Sequence, residues 1–285
     1  HGPCVQMGQA PGAALGKSGP IGRTEMGEVL LDNVTVRFGS NPASWVVALE
    51  NLTLEIPDQQ FAVIVGPSGC GKSSTLDLIA GLNQASEGRT LVDGVAIEKP
   101  GADRGMVPQS YTLFPWLTVQ KNVEFGLSVN NVSRAEREER ARHYVNAVGL
   151  AQFANSYPSQ LSGGMKQRVA IARALAVNPE VLLMDEPFGA LDSQTRSVMQ
   201  ELLLKIWQDE RKTVLFITHD IDEAVFLGDV VYVMSARPGR IIDTIPVGIE
   251  RPRDYTVLTS PEFIELKKRI MTNLHEEVGK ALALG

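Results

Sequence analysis

Residues 66 to 73 read G-P-S-G-C-G-K-S and fit the phosphate-binding template G-x-x-x-x-G-K-[ST] at every fixed position. The apolar run 61–65 before them suits a buried parallel strand, and a helix is predicted from Lys72 to Ala80, stopped by Gly81. The glycines let successive N–H groups converge on phosphate oxygens. The predicted nucleotide-binding residues here are Gly66, Pro67, Ser68, Gly69, Cys70, Gly71, Lys72, Ser73 and Ser74.

Two further signatures follow the glycine loop along the chain. Residues 161 to 165 read L-S-G-G-M, and residues 181 to 186 read V-L-L-M-D-E, an apolar run that ends in two carboxylates. In this order the three motifs resemble the ATP-binding cassette (ABC) family, in which paired ATPase domains hydrolyse ATP at a shared interface. The resemblance covers residues 28–245. By the phosphate-loop template, Lys72 is expected to reach the β- and γ-phosphates of ATP and Ser73 to place its hydroxyl on Mg²⁺.

The hydrophobic pattern predicts an α/β fold: a P-loop ATPase core with an antiparallel β edge and an inserted α-helical subdomain. Asp93-Gly94 between two apolar runs indicates a hairpin, and Ser133 with Glu136 indicates the capped start of a charged, solvated helix. The remaining predicted strands are 30–38, 49–56, 181–186, 214–217 and 230–234. The predicted division is a flexible N-terminal tail at 1–27, an ATPase domain at 28–245 with its helical part at 111–178, and a C-terminal helical tail at 246–285.

The family resemblance implies roles for the polar residues that follow the core strands. Asp185 resembles the acid that holds Mg²⁺, and Glu186 resembles the general base that polarises the attacking water. His219 resembles the switch histidine, which contacts the γ-phosphate and orients the water. Gln109 resembles the Q-loop glutamine, which links Mg²⁺ and water to the helical part. The expected metal ligands are Ser73, Gln109 and Asp185.

The L-S-G-G-M run is expected to lie at the N-terminus of a helix over 166–176, where free N–H groups and the helix dipole favour an anion. In the family these groups meet the γ-phosphate bound by the other subunit. Met165 departs from the glutamine usual at its position, and a methionine cannot supply that amide. The expected contacts with the partner's ATP are Ser162, Gly163, Gly164 and the D-loop residue Asp192.

An adenine base needs an aromatic face to stack on. Phe38 matches the corresponding position of the family by its place before the second strand. Trp45 is the alternative, because the turn between the two strands is longer than usual. The sequence leaves both residues open as the adenine contact, with Phe38 favoured.

Composition restricts the class of protein. The chain has 285 residues, 44% of them hydrophobic and 21% charged, as expected of a globular protein. The net charge of −6 argues against a general nucleic-acid binder. Its two cysteines, Cys4 and Cys70, provide no disulfide framework, which indicates a reducing compartment. No segment approaches the about 18 consecutive apolar residues of a membrane span.

Several short stretches resemble the nitrate, sulfonate and taurine group of bacterial ABC importers, with taurine-type ATPases nearest; they lie at 100–105, 188–192, 220–225 and 236–241. This resemblance implies an ATP-hydrolysing subunit that powers uptake of a small anion of the sulfonate/taurine, nitrate or bicarbonate type. The implied partners are a second copy of the chain, two transmembrane permease subunits and, indirectly, a periplasmic substrate-binding protein, with no nucleic acid. The resemblance also implies a peripheral location on the cytoplasmic face of the inner membrane, and a permease contact at 113–119.

Two alternatives are a chromosome-maintenance ATPase of the same superfamily and an inactive regulatory protein. The segment between Ser73 and Leu161 is short and has no heptad pattern, which argues against the chromosome-maintenance ATPase.

Overall fold

The computed structural model describes residues 27–39, 41, 44–110 and 112–283. In this part of the chain the strands are β1 (Val29–Phe38), β2 (Val46–Ile56), β3 (Phe61–Val65), β4 (Glu87–Val92), β5 (Val95–Ala96), β6 (Arg104–Val107), β7 (Val181–Asp185), β8 (Thr213–Ile217), β9 (Val230–Met234) and β10 (Ile241–Pro246). The α-helices are α1 (Lys72–Ala80), α2 (Val119–Val129), α3 (Arg134–Ala147), α4 (Gly163–Ala176), α5 (Ser193–Glu210), α6 (Ile221–Leu227) and α7 (Pro261–Ala283).

A six-stranded sheet in the order β10-β9-β3-β8-β7-β6 forms the centre of the molecule. Its strands are parallel except β10, which pairs antiparallel with β9. β3, β8 and β9 are buried along their whole length, because helices cover both faces of a parallel sheet and only continuous apolar runs tolerate that position. The carboxyl ends of β3, β6, β7 and β8 therefore meet at one edge, where open sheets of this kind bind ligands.

The predicted antiparallel edge is a separate four-stranded sheet in the order β2-β1-β4-β5. Asp93 and Gly94 both have positive φ and form the turn between β4 and β5, as the sequence predicts. Apolar residues of β1 and β2 share one core with β3 and α1, so α1 lies between the two sheets. The β3–loop–α1 unit is thereby held from both sides.

The predicted helical subdomain contains α2, α3 and α4, which pack on one another. α4 begins at Gly163, three residues earlier than predicted, because the Ser162 side chain caps it. β7 ends at Asp185 rather than at residue 186, because Glu186 turns out of the strand with a left-handed φ of 42°. β6 and β10 were not predicted from the sequence.

The C-terminal helix α7 packs on α6, with Phe263 and Ile270 buried in the core of the main sheet. The predicted start of the C-terminal tail at residue 246 falls on the last residue of β10. Most of the predicted N-terminal tail, residues 1–26, lies outside the described residues. No helix in the described part has both the length and the apolar character needed to cross a bilayer.

Candidate nucleotide site

The glycine loop between β3 and α1 presents unpaired backbone donors. Gly69 and Gly71 have φ values of 76° and 106°, a conformation that side chains rarely adopt. Gly71 caps α1 without any side-chain hydrogen bond, so the first N–H groups of this helix stay available. Such a helix N-terminus is an anion site, because the N–H groups and the helix dipole both favour negative charge.

Lys72 places its ammonium group inside the glycine loop. The side chain is folded back so that Nζ donates to the Gly66 carbonyl at 2.9 Å and to the Pro67 carbonyl at 3.2 Å. Lys72 is only 8% exposed, so its positive charge is held at one place rather than moving in solvent. A phosphate group cradled by the loop would meet this charge directly.

Cys70 contributes to the loop by packing. Its thiol is 1% exposed and lies so close to Gly66 that a methyl group there would be 2.8 Å from Sγ. Burial raises the pKa of the Cys70 thiol, which keeps it protonated and unreactive. If Cys70 contacts a phosphate, it therefore does so through its backbone N–H.

Asp185 and Ser73 provide adjoining oxygen atoms at the end of β7 and the start of α1. Burial raises the pKa of the Asp185 carboxyl, and a hydrogen bond with Ser73 acts in the opposite direction. Mg²⁺ prefers oxygen ligands and is commonly held by one or two carboxylates together with substrate phosphates. The Ser73 hydroxyl and the Asp185 carboxylate fit that pattern, and no group of three or more His, Cys, Asp or Glu among the described residues offers an all-protein metal cage.

Two of the residues predicted to be catalytic, Gln109 and His219, meet the carboxylate of the third, Glu186. Glu186 Oε2 accepts a hydrogen bond from Gln109 Nε2 at 3.2 Å and lies 3.1 Å from His219 Nδ1. The three residues follow β6, β7 and β8, which are neighbours in the sheet and run in the same direction. Glu186 has a left-handed φ at the point where the chain leaves β7.

The L-S-G-G-M run forms the N-terminus of α4. Ser162 Oγ accepts a hydrogen bond from the Met165 N–H at 3.3 Å, and Ser162 and Gly163 are exposed. Gly164 is buried against α5, where a methyl group would lie 2.6 Å from Thr195 Cγ2. The Met165 side chain packs against the apolar core. The Met165 side chain therefore has a packing role. The backbone N–H groups of the run do not depend on which side chain stands at residue 165.

Asp192 caps α5 by accepting a hydrogen bond from the Thr195 N–H at 3.0 Å. This hydrogen bond holds the pKa of the Asp192 carboxyl below its usual range. One turn further along α5, Arg196 forms an ion pair of 2.8 Å with Asp220, the residue that follows His219. Sequence reasoning did not identify Arg196, and an arginine within a polar helix carries no pattern that would have singled it out.

The two aromatic candidates for adenine stacking are both partly exposed and lie at the facing ends of β1 and β2. The Arg37 guanidinium lies over the ring of Trp45, 5.4 Å from its centroid. Phe38 has no such partner among the described residues. The ring of Phe38 is therefore the freer of the two to receive a base, and its role stays a prediction.

Comparison with known proteins identifies a family with similar sequences. The sequence profile described as ABC transporter matches residues 49–189. The taurine import ATP-binding protein TauB of Rhizobium johnstonii is 49% identical over 250 residues, which are 86% of this chain and 95% of that protein. The nitrate import ATP-binding protein NrtD of Synechocystis is 51% identical over 235 residues, which are 80% of this chain and 88% of that protein.

Among solved structures, the ATP-binding cassette MJ0796, a dimer bound to ADP and Pi in a post-hydrolysis state, matches with a TM-score of 0.68 and 36% sequence identity. The match covers 78% of this chain and the whole of that one. About half of the residues are identical to those of the import proteins over 80% or more of this chain, and the solved cassette has a similar fold. The chain belongs to the ABC transporter family and is an ATP-hydrolysing cassette of it.

Proposed function

We propose that the chain is the ATP-hydrolysing subunit of an importer for a small anion of the sulfonate, taurine or nitrate type. Two copies act with two permease subunits on the cytoplasmic face of the membrane, and a periplasmic binding protein selects the solute. The convergence of Gln109 and His219 on Glu186, beside the glycine loop, is the observation that supports ATP hydrolysis. The names of the related import proteins support the transport assignment.

In the proposed reaction the glycine loop and Lys72 hold the phosphates of ATP. Glu186 takes a proton from the attacking water through Oε2, the oxygen that Gln109 and His219 contact. His219 orients this carboxylate and meets the γ-phosphate. Mg²⁺, when bound by Ser73, Asp185 and the amide oxygen of Gln109, supplies positive charge that neutralises the phosphate oxygens.

The proposal needs a second copy of the chain, because the N-terminus of α4 is exposed at Ser162 and Gly163. These residues, with Gly164 and Asp192, complete the site around the ATP of the other copy. We expect the Glu186→Gln protein to shift from monomer to dimer in sedimentation velocity when ATP is added, because ATP binds both surfaces and is hydrolysed too slowly to release them.

ADP is the matched control, because it fills the glycine loop but lacks the γ-phosphate that the second copy recognises. A Ser162→Arg change on the Glu186→Gln background should abolish the ATP-dependent dimer without weakening ATP binding by the monomer. If the protein stays monomeric when the ATP concentration is well above the dissociation constant for ATP, the proposal that two copies complete each other's sites is contradicted.

The permease contact is proposed at an aromatic surface formed by Phe114, Trp116 and Phe125. Phe114 packs on both neighbours, with ring centroids 5.7 Å from Trp116 and 4.3 Å from Phe125. Trp116 is 70% exposed. Exposed aromatic residues are typical anchors of protein interfaces. This surface follows the Q-loop along the chain, so a movement of the permease would reach Gln109 through the intervening residues.

We expect Trp116→Ala to weaken association with the permease about tenfold or more, the scale of an aromatic anchor, while leaving ATP binding by the isolated chain unchanged. Pull-down of the cassette on permease-containing nanodiscs measures the first effect. Tyr255→Ala is a matched control, because Tyr255 is an aromatic residue of 69% exposure that precedes α7. Equal retention of both variants on the permease would contradict this docking surface.

A further inference from the structure

The turn after β9 lies directly behind the phosphate loop. Gly239 in this turn donates to the Ala48 carbonyl at 2.8 Å and accepts from the Glu50 N–H at 3.2 Å. A methyl group on Gly239 would overlap the Cys70 carbonyl oxygen, and one on Gly66 would lie 3.0 Å from the β-carbon of Met234. The turn and the loop therefore share a close backbone contact, and displacement of one displaces the other.

The turn, defined as residues 235–239, is stiffened by its own hydrogen bonds. Ser235 Oγ donates to the Pro238 carbonyl at 2.9 Å and accepts from the Arg240 N–H at 3.0 Å. The Ser235 N–H donates to the Arg240 carbonyl at 2.9 Å. Because these hydrogen bonds fix its shape, an external contact with the turn sets its position as a unit.

Besides the two hydrogen bonds of Gly239 with β2, the turn has an external contact with the C-terminal helix. Glu277 of α7 is only 5% exposed, and its Oε2 accepts a hydrogen bond from the Ala236 N–H at 3.0 Å. Its Oε1 accepts from Lys280 Nζ at 2.5 Å. Burial of Phe263 and Ile270 fixes α7 on the core, so the carboxylate of Glu277 is a fixed point rather than a mobile one.

We propose that Glu277 is a positioning residue for nucleotide binding, which acts by holding the turn 235–239 against the back of the phosphate loop. The carboxylate of Glu277 hydrogen-bonds Ala236 and Lys280 rather than the phosphate loop. The chain of contacts runs from the Glu277 carboxylate to the Ala236 N–H, through the stiff turn to Gly239, and from Gly239 to the backbone of Cys70. The C-terminal helix is thereby part of the ATP-binding apparatus, whatever solute the transporter carries.

The turn 235–239 makes no hydrogen bond with Gln109, Glu186 or His219, which follow β6, β7 and β8 on the other side of β3 from β9. Loss of the tether should therefore affect how well the loop holds phosphates and not the chemistry of the water. This separation makes the proposal testable by a difference between affinity and turnover, which a general loss of folded protein would not produce.

The test uses the full chain with Glu277→Ala, measured by calorimetric titration with ADP and by steady-state ATP hydrolysis. We expect the dissociation constant for ADP and the KM for ATP to rise about tenfold, the scale of one lost hydrogen bond to a charged group, with kcat unchanged. Glu277→Gln keeps an acceptor oxygen for the Ala236 N–H without the charge and should lose clearly less ADP affinity than Glu277→Ala. Glu276→Ala removes an exposed carboxylate from the neighbouring position of the same helix and is the matched control.

Thermal unfolding of each variant shows whether it is folded at the assay temperature. If Glu277→Ala does not fold, Glu277→Asp replaces it, because the shorter side chain keeps the charge and withdraws the acceptor from Ala236. Normal ADP affinity in the folded Ala or Asp variant would overturn the proposal. So would an equal loss of affinity in Glu277→Gln or Glu276→Ala, or a fall in kcat with unchanged KM.

Discussion

Glu186→Gln should hydrolyse ATP at least about a hundredfold more slowly than the unchanged chain and still bind ATP, because the variant loses only its proton acceptor. A glutamine has the same shape, so its side-chain oxygen can keep the hydrogen bond from Gln109 Nε2, now 3.2 Å from the carboxylate. An amide cannot take the proton of the attacking water. Lys72 and the glycine loop, which hold the phosphates, lie on other elements and are unaffected.

Phosphate release at saturating ATP measures the turnover of this variant, and titration with ATP under the same conditions measures its binding. Glu180→Gln is the matched control, since Glu180 immediately precedes β7 and Glu186 immediately follows it. This control makes the same chemical change at the opposite end of the strand and should leave hydrolysis intact. Turnover of Glu186→Gln within about tenfold of the unchanged chain would exclude Glu186 as the general base.

Arg253→Ala should lower the free energy of unfolding by about 3 kcal/mol or more, because it removes the donors of several buried carbonyl groups. Arg253 is 7% exposed, and its Nη1 donates to the carbonyls of Val225, Phe226 and Gly228 at 3.0, 2.9 and 2.8 Å. These carbonyls are at the C-terminal end of α6, where helical partners run out. Burial lowers the pKa of Arg253 to about 10, which still leaves it charged at neutral pH.

Urea unfolding at neutral pH measures this loss, and Arg89→Ala provides the control. Arg89 pairs with Asp32 at 2.6 Å on the surface of the antiparallel sheet, with its own side chain 69% exposed. Such an exposed pair contributes at most about 1 kcal/mol, so its loss should barely move the midpoint. Arg253→Lys should fall between the two, since the donors of an ammonium group lie on one nitrogen and cannot also replace Nε and Nη2 of Arg253, which donate to the Ile249 carbonyl. A cost for Arg253→Ala no larger than that for Arg89→Ala would contradict the capping role.

The central elements of the fold follow from local sequence. The predicted bounds of β3, α1 and β9 equal the observed ones, because each is a strongly apolar or helical run closed by residues that cannot continue it. Gly81 ends α1 with a left-handed φ of 74°, as its position predicts. β10 was not predicted because it is an edge strand with one buried residue, and it ends in proline. Its sequence therefore lacks the apolar run or alternation that indicates a strand.

Glu186 and His219 lie at the ends of predicted strands, where residues of adjacent parallel strands meet at one edge of the sheet. The place of Gln109 beside them depends on β6, which was not predicted. The contacts of Glu277 with Ala236 and of Arg253 with α6 were not predictable from the sequence, because they join residues far apart in the chain and depend on how α7 and its connection pack. Acidic and basic residues in such segments are usually solvated. Their burial is visible only when the tertiary structure is known.

The cap of α4 restricts what evolution can place at residue 162. As a helix cap, Ser162 uses a lone pair of Oγ to accept the Met165 N–H, so its hydroxyl proton stays free to be given to an oxygen anion. Aspartate and asparagine would cap the helix as well as serine does. Aspartate would, however, set a negative charge against the phosphate that this end of the helix is proposed to receive. Helix stability alone therefore permits serine, asparagine or aspartate at residue 162. The proposed contact with the phosphate of ATP disfavours aspartate.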